Sequence, residues 1–459
     1  MRTSASTVSD SMRTQLWPVP LAAVVVAFGL GLALPYVDSL VDQDLSPQWK
    51  SILFDGGSDA AKSVMETIAG SLITVTALTF SLTVVTLQLA SSQFSPRLLR
   101  TFSRDRVVHN TLALFLATFT FSLTVLRSIR VDTEDQSGLV PRISVSLAFL
   151  LAIASVITLV GFLAHLAKQI RVETMLKDVH SESTKTVERV FPDDPDGTTR
   201  RLEVHAGPGS DARSWSLLEA DTSGFLLSID TRAVLAAAVD VDAVIVVDAV
   251  PGDSLVTGVP FGRVIALDGR EIDRDRVDRA RRALADAITT GFERTSTQDV
   301  GFGLQQLLDV ASRALSPGIN DPTTAVHAIG HVSSLLVSIV ERPTGAKTLL
   351  DDDDRVRVVV AFPTFDDLLD QAMRQLNAYA MSDPRTAERV IRLLREVGWR
   401  DRSGTYSEDI SRQLGLVRAQ IVDSVLSAEE KRSLVARCDD VTVAIAGDWT
   451  VAETPRSRP

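Results

Sequence analysis

Apolar residues run without a single charge through four long stretches: Thr14 to Val37, Thr67 to Pro96, Val107 to Leu126 and Ile143 to Ala167. A helix crosses a hydrocarbon core with ~20 predominantly apolar residues, and each stretch is that long. Nothing comparable occurs from Lys168 onward, where apolar residues alternate with charges as in a soluble chain. The pattern predicts a membrane domain over residues 1–167, with spans at about 16–37, 67–93, 107–127 and 143–167. Arg2 and Arg13 precede the first apolar core, as in a signal peptide, but three further spans favour its retention as a first membrane helix.

Beyond the fourth span, Ile170, Val172, Met175, Leu176, Val179, Val187 and Val190 recur at helical spacing. They predict a helical extension over 168–191, closed by the Pro192 to Gly197 break. Residues 198–268 read as β-rich. Gly224 to Ile229 and Ala243 to Val247 are strand-like, Arg232 to Val239 is a short helix, and Val250 to Val264 is a strand-turn-strand run. Gly252 and Gly258 supply the positive-φ positions its turns need. This run resembles the hairpin of lipoyl- or biotinyl-type barrels. It lacks their displayed Lys, since no Lys lies between Lys185 and Lys347, so a small structural β-barrel-like module without cofactor is expected. Residues 269–450 read as a mainly helical bundle and 451–459 as a disordered tail. In the bundle, Val300, Leu304, Leu307, Leu308, Ala311 and Leu315 form an apolar stripe. Asp321-Pro322 and Asp383-Pro384 open helices as N-cap and first-turn proline, and Ser427 with Glu430 is a capping box. Arg355 to Ala361 reads as a lone strand and Asp351 to Asp354 as a solvated loop. The fold class is therefore an α-helical polytopic membrane domain with four transmembrane helices, plus a cytoplasmic α+β region.

The second span is the odd one, carrying Ser, Thr and Gln along much of its length. At 100° per residue its hydroxyls form two opposed stripes. Thr76, Thr79, Thr83 and Thr86 make one; Thr67, Ser71, Thr74, Ser81, Gln88 and Ser92 make the other. Such hydroxyls either bond the carbonyl one turn back and pack between helices, or line a wet path. The first stripe, with Gln88 and Gln93, is taken as the candidate pore lining. Arg97, Arg100, Arg104 and Arg106 follow directly. They form either a charged collar at the inner mouth, favouring anions, or a lipid-phosphate anchor.

Charge changes the picture in two ways. The net charge of -11 argues against nucleic acid as partner. Basic residues are concentrated in the N-terminal tail, the second connection and the segment after the fourth span, which places both termini in the cytoplasm. Cys438 stands alone, so neither an intrachain disulfide nor a cysteine metal cluster is available. His327 and His331, at i and i+4, are weak metal candidates, because Ala328 stands where a zinc protease motif needs Glu. No catalytic constellation stands out, and no cofactor is expected.

The strings Gly70 to Val75, Leu87 to Arg97 and Arg313 to Ala325 resemble a bacterial family of predicted membrane proteins, the domain-of-unknown-function family numbered twenty-two fifty-four. The resemblance covers nearly the whole chain and implies a bacterial inner (plasma) membrane protein; it transfers no functional residues. Thr297 to Asp299 and the loop with Ser316, Pro317, Gly318, Asn320 and Asp321 look like its signature in the soluble part, as an interface, a pocket or a rigid corner. The leading expectation is a homo-oligomeric channel or channel-like transporter for small ions or solutes, not an enzyme. Its partners would be the lipid bilayer, further copies of itself and the permeant species. The alternative is a membrane-anchored scaffold or sensor whose cytoplasmic domain binds a protein or small ligand.

Overall fold

The structure is a computed structural model describing residues 17–41, 53–93, 105–129, 140–169, 171–193, 215–267 and 272–449. Two compact units emerge, Met1–Thr174 and Met175–Pro459.

Among the described residues the first unit has four helices, each long and apolar enough to cross a membrane. They are α1 (Pro18–Val41), α2 (Ser58–Gln93), α3 (Arg106–Leu126) and α4 (Arg142–Gln169). Helix α2 begins nine residues before the charge-free stretch that marked it. Its first turns carry Asp59, Lys62 and Glu66, and at 36 residues it reaches about 54 Å, longer than a ~30 Å hydrocarbon core. Helix α3 lies against all three others. Its contact with α1 is close because Gly31 has no side chain: a Cβ there would stand 2.7 Å from Thr124 Cβ. Met65, Leu72, Phe115, Phe121, Val125, Val145 and Ala148 make the apolar core.

Whether the fourth span continues unbroken turns on Ile170, which lies outside the described residues. Helix α4 ends at Gln169 and α5 runs Val172–Val190, the Arg171 N–H bonding three residues back to the Lys168 carbonyl.

The second unit contains two open sheets, and no closed barrel is present among the described residues. Its strands are β1 (Trp215–Glu219), β2 (Gly224–Ile229), β3 (Ala243–Val247), β4 (Ser254–Leu255), β5 (Pro260–Ala266), β6 (Ile288–Gly291), β7 (Lys347–Leu350) and β8 (Val356–Val360). One sheet has the order β1-β5-β3-β8-β7, the other β4-β2-β6. The reason lies in β3. Ala243-Val-Ile-Val-Val is apolar on both faces, the signature of a central strand, and so needs a partner on each side. It pairs antiparallel with β5 and parallel with β8, which comes from far along the chain. Arg355 to Ala361 therefore contributes an inner strand of a sheet and is not alone. The β-rich and helical regions share that sheet, with helices α6 (Thr231–Asp240) and α7 (Arg274–Ala287) packed on it.

Asp351 to Asp354 form the expected turn between β7 and β8, Asp352 to Asp354 exposed and Asp351 half-buried. The Asp351 carboxylate accepts from Arg357 Nε at 2.6 Å, and Arg357, buried, also reaches Asp242 at 2.8 Å. The Arg357 guanidinium holds both carboxyls below their usual range.

Helices α8 (Val300–Ala314), α9 (Pro322–Ile339), α10 (Phe365–Tyr379), α11 (Pro384–Arg400), α12 (Ser407–Asp423) and α13 (Ala428–Ile445) form the bundle. Leu304, Leu307, Leu308 and Ala311 are fully buried, as their spacing predicts. Asp321 and Asp383 cap α9 and α11 ahead of a proline, and Ser427 with Glu430 closes the capping box of α13.

Candidate functional site

The two hydroxyl stripes of α2 face different surroundings. Thr76, Thr79, Thr83 and Thr86 are buried within the four-helix unit. Three of them donate to the carbonyl one turn back: Thr76 to Leu72 at 2.7 Å, Thr83 to Thr79 at 2.8 Å and Thr86 to Leu82 at 2.8 Å. They belong to a polar interior that includes Thr111, Thr118 and Ser122 of α3 and Ser155 of α4, with Thr118 and Ser155 hydroxyls 3.4 Å apart. Among the described residues, Thr79 Oγ1, Thr111 Oγ1 and Ser122 Oγ are buried there without a hydrogen-bond partner.

The opposite stripe faces outward. Thr67, Ser71, Thr74, Ser81 and Gln88 are exposed on the unit's surface, alongside Gly70 and Ala77. Thr67 and Thr74 bond back to Ser63 and Gly70. Thr67 and Ser71 also edge a crevice of about 200 Å³ with Phe115, Ser155 and Leu159. Gln88 therefore shares the outer stripe and not the inner one. Gln93 is the last residue of α2. Arg106, exposed, is the first of α3, while Arg97, Arg100 and Arg104 lie outside the described residues.

Carboxylates fix both ends of the bundle. Asp38 of α1 is 3% exposed. It accepts from the backbone N–H of Ile143 (2.8 Å) and Ser144 (3.0 Å) and from the Ser144 hydroxyl (2.6 Å), capping α4 from a neighbouring helix. At the other end Asp105 caps α3 through Val107 N–H at 2.8 Å, lies 2.6 Å from His165 Nε2, and accepts from Gln169.

In the second unit the two signature strings meet different fates. Asp299 is buried and caps α8 through Phe302 N–H at 2.9 Å. It receives a two-pronged contact from Arg294, Nε at 2.7 Å and Nη2 at 2.9 Å. Burial pushes its carboxyl up against the pull of Arg294. Gly252, at φ 105°, lies over that carboxylate: a Cβ would stand 2.3 Å from Oδ2. So Thr297 to Asp299 joins the β-turn at Gly252 to the start of α8. The Ser316–Asp321 string is an exposed corner between α8 and α9. Ser316 O accepts from Ile319 and Asn320 N–H, Asn320 adopts φ 48°, and Asp321 caps α9 through Thr324. Pro317, Gly318, Ile319 and Asn320 are open to solvent.

His327 is exposed, but His331 faces inward to a partner absent from the sequence reading, His180 of α5, with ring centroids 5.1 Å apart. Burial lowers both below the ordinary 6.5, and their mutual repulsion lowers His331 further. Because the unfolded chain then takes up protons first, stability is full above pH 6.5 and falls as pH drops through the lower folded values. The expected result is a lower urea midpoint at pH 5.5 than at 7.5, with the difference reduced in His180→Gln/His331→Gln; equal pH sensitivity in the variant contradicts it.

Four helices long and apolar enough to cross a membrane, followed by an α+β unit, define the class: a membrane protein with a large α+β region. The chain belongs to the family described as predicted membrane protein (DUF2254), whose model matches residues 13–396. It is 32% identical over 399 residues to uncharacterized proteins of Mycobacterium bovis and Mycobacterium tuberculosis, covering 84% of this chain and 72% of theirs. No solved structure matches it.

Proposed function

We propose that the protein is a homo-oligomeric channel or channel-like transporter for small ions or solutes, with both termini and the α+β unit on the cytoplasmic side of a bacterial inner membrane. One observation carries this reading: the outward stripe of α2, running Thr67, Ser71, Thr74, Ser81 and Gln88 along a membrane-spanning helix. Polar side chains facing lipid are costly in hydrocarbon, and the Gln88 amide most of all. Small residues along the same face, Gly70 and Ala77, let a second helix approach closely. Copies of α2 arranged about an axis would shelter the stripe and enclose a charge-free polar path. The inner stripe would then hold α2 against α3 and α4. The arginines from Arg97 to Arg106 would stand near the mouth and favour anions.

The test is planar-bilayer recording in asymmetric KCl with Ser81→Cys. Cys438 is a clean background, since its thiol is fully buried and pushed up to about 11. Conductance steps blocked by a charged thiol reagent in Ser81→Cys alone are expected. Silence from intact oligomer removes the channel reading, and block through Thr79→Cys but not Ser81→Cys moves the path inside one protomer.

The second reading, a membrane-anchored scaffold or sensor, is favoured by the exposed corner, where Ile319 stands 42% exposed within a signature string. Retention of a specific partner by wild type and its loss on Ile319→Asp would support it.

A further inference from the structure

The histidine pair is the strongest feature that the proposed function leaves unused. His180 comes from α5 and His331 from α9, both half-buried, with ring centroids 5.1 Å apart and planes tilted by 53°. Two imidazoles ligating one tetrahedral ion through bonds of about 2 Å stand with ring centres roughly 5 Å apart. His327 lies one turn before His331 on the same helix, the i, i+4 spacing by which one helix presents two imidazoles to one ion. The Nδ1 of His180 is buried and has no hydrogen-bond partner among the described residues, an uncommon state for a ring nitrogen.

We infer that His180, His331 and His327 form a binding site for a borderline divalent transition-metal ion of the zinc type, with His180 and His331 as anchors and the exposed His327 closing over the ion.

As they stand, no three metal-ligating side chains converge among the described residues, so the third ligand arrives by rotation of the exposed His327 side chain. Imidazole ligands select zinc, nickel or copper over magnesium or calcium. Neighbouring carboxylates are engaged elsewhere: Asp321 with Thr324, and Glu182 with Ser296. The fourth position is left to water, which makes the site open. The three ligands would tie α5, the first helix of the second unit, to the bundle helix α9.

The experiment is calorimetric titration of detergent-purified full-length protein with zinc chloride at pH 7.5, after dialysis against EDTA. One ion per chain is expected, with no comparable heat from magnesium. Loss of an outer-shell partner alone weakens metal sites about 10–100-fold, so removing both anchors in His180→Gln/His331→Gln is expected to weaken binding at least that much. Melting curves of metal-free protein guard against misfolding: wild type should melt higher with zinc added, while a folded His180→Gln should not respond. Unchanged affinity in the double variant, or no zinc heat in wild type, overturns the site. Unchanged affinity in His327→Gln overturns the three-histidine set.

Discussion

Asp299→Ala is expected to lower the stability of the second unit by roughly 3 kcal/mol, the scale for removing one partner of a buried ion pair. The carboxylate is 3% exposed, caps α8 and neutralises Arg294, whose side chain is itself 28% exposed. Truncation strands the guanidinium in a site built around a negative charge and leaves the first turn of α8 uncapped. For a unit of this size the loss corresponds to a fall in melting temperature of about 5 °C. Thermal denaturation of the full-length protein followed by circular dichroism measures it. Asp299→Asn should recover part of the loss, because an amide oxygen can still accept from Phe302 N–H. Gly252→Ala attacks the same joint from the other side. Its methyl would meet the carboxylate at 2.3 Å on a backbone at φ 105°, strained for any residue with a side chain. A change within 1 °C for Asp299→Ala would mean that the signature string is conformationally idle.

The second large effect lies in the membrane unit. Asp38→Ala removes the acceptor of two backbone N–H groups and one hydroxyl at the start of α4, all buried or partly buried. Hydrogen bonds to a charged group contribute about 1.5–3 kcal/mol each and are not additive within one carboxylate, so a total near 3–4 kcal/mol is expected. The SDS fraction needed to unfold the purified protein should drop accordingly. Ser144→Ala, which removes only the hydroxyl, should cost about a third as much. Equal losses for the two variants would show that Asp38 matters through Ser144 alone.

How much of this was legible in sequence follows from the range of each interaction. The four membrane helices were readable because exclusion of charge is a local property, written into each stretch independently. The start of α2 was not, since Asp59, Lys62 and Glu66 ride on the same helix beyond the charge-free run. Capping at Asp321, Asp383 and Ser427 was legible because cap and capped N–H lie within three residues. The barrel-like expectation treated 198–268 as self-sufficient, whereas β3 completes its pairing with β8 about a hundred residues later. The pairing of Asp351 with Arg357 came with that strand. Helical periodicity on α2 revealed two polar stripes, but only packing against α3 and α4 decides which faces inward. The pairing of His331 with His180 was not legible at all, since the two lie some 150 residues apart.

The enclosed position of α3 bears on how the chain enters the bilayer. It is the least apolar of the four spans, with mean hydropathy 1.4 against 2.6 for α4, and the most buried. Thr111, Thr118, Ser122 and Thr124 face its neighbours and so need not meet lipid in the finished unit. During synthesis, however, α3 emerges before α4, with only α1 and α2 available to receive it. Its partition from the translocon into lipid would depend on those two helices waiting beside the exit. Closely fitted at Gly31 and Thr124, α1 would then offer this least apolar span its first protein surface.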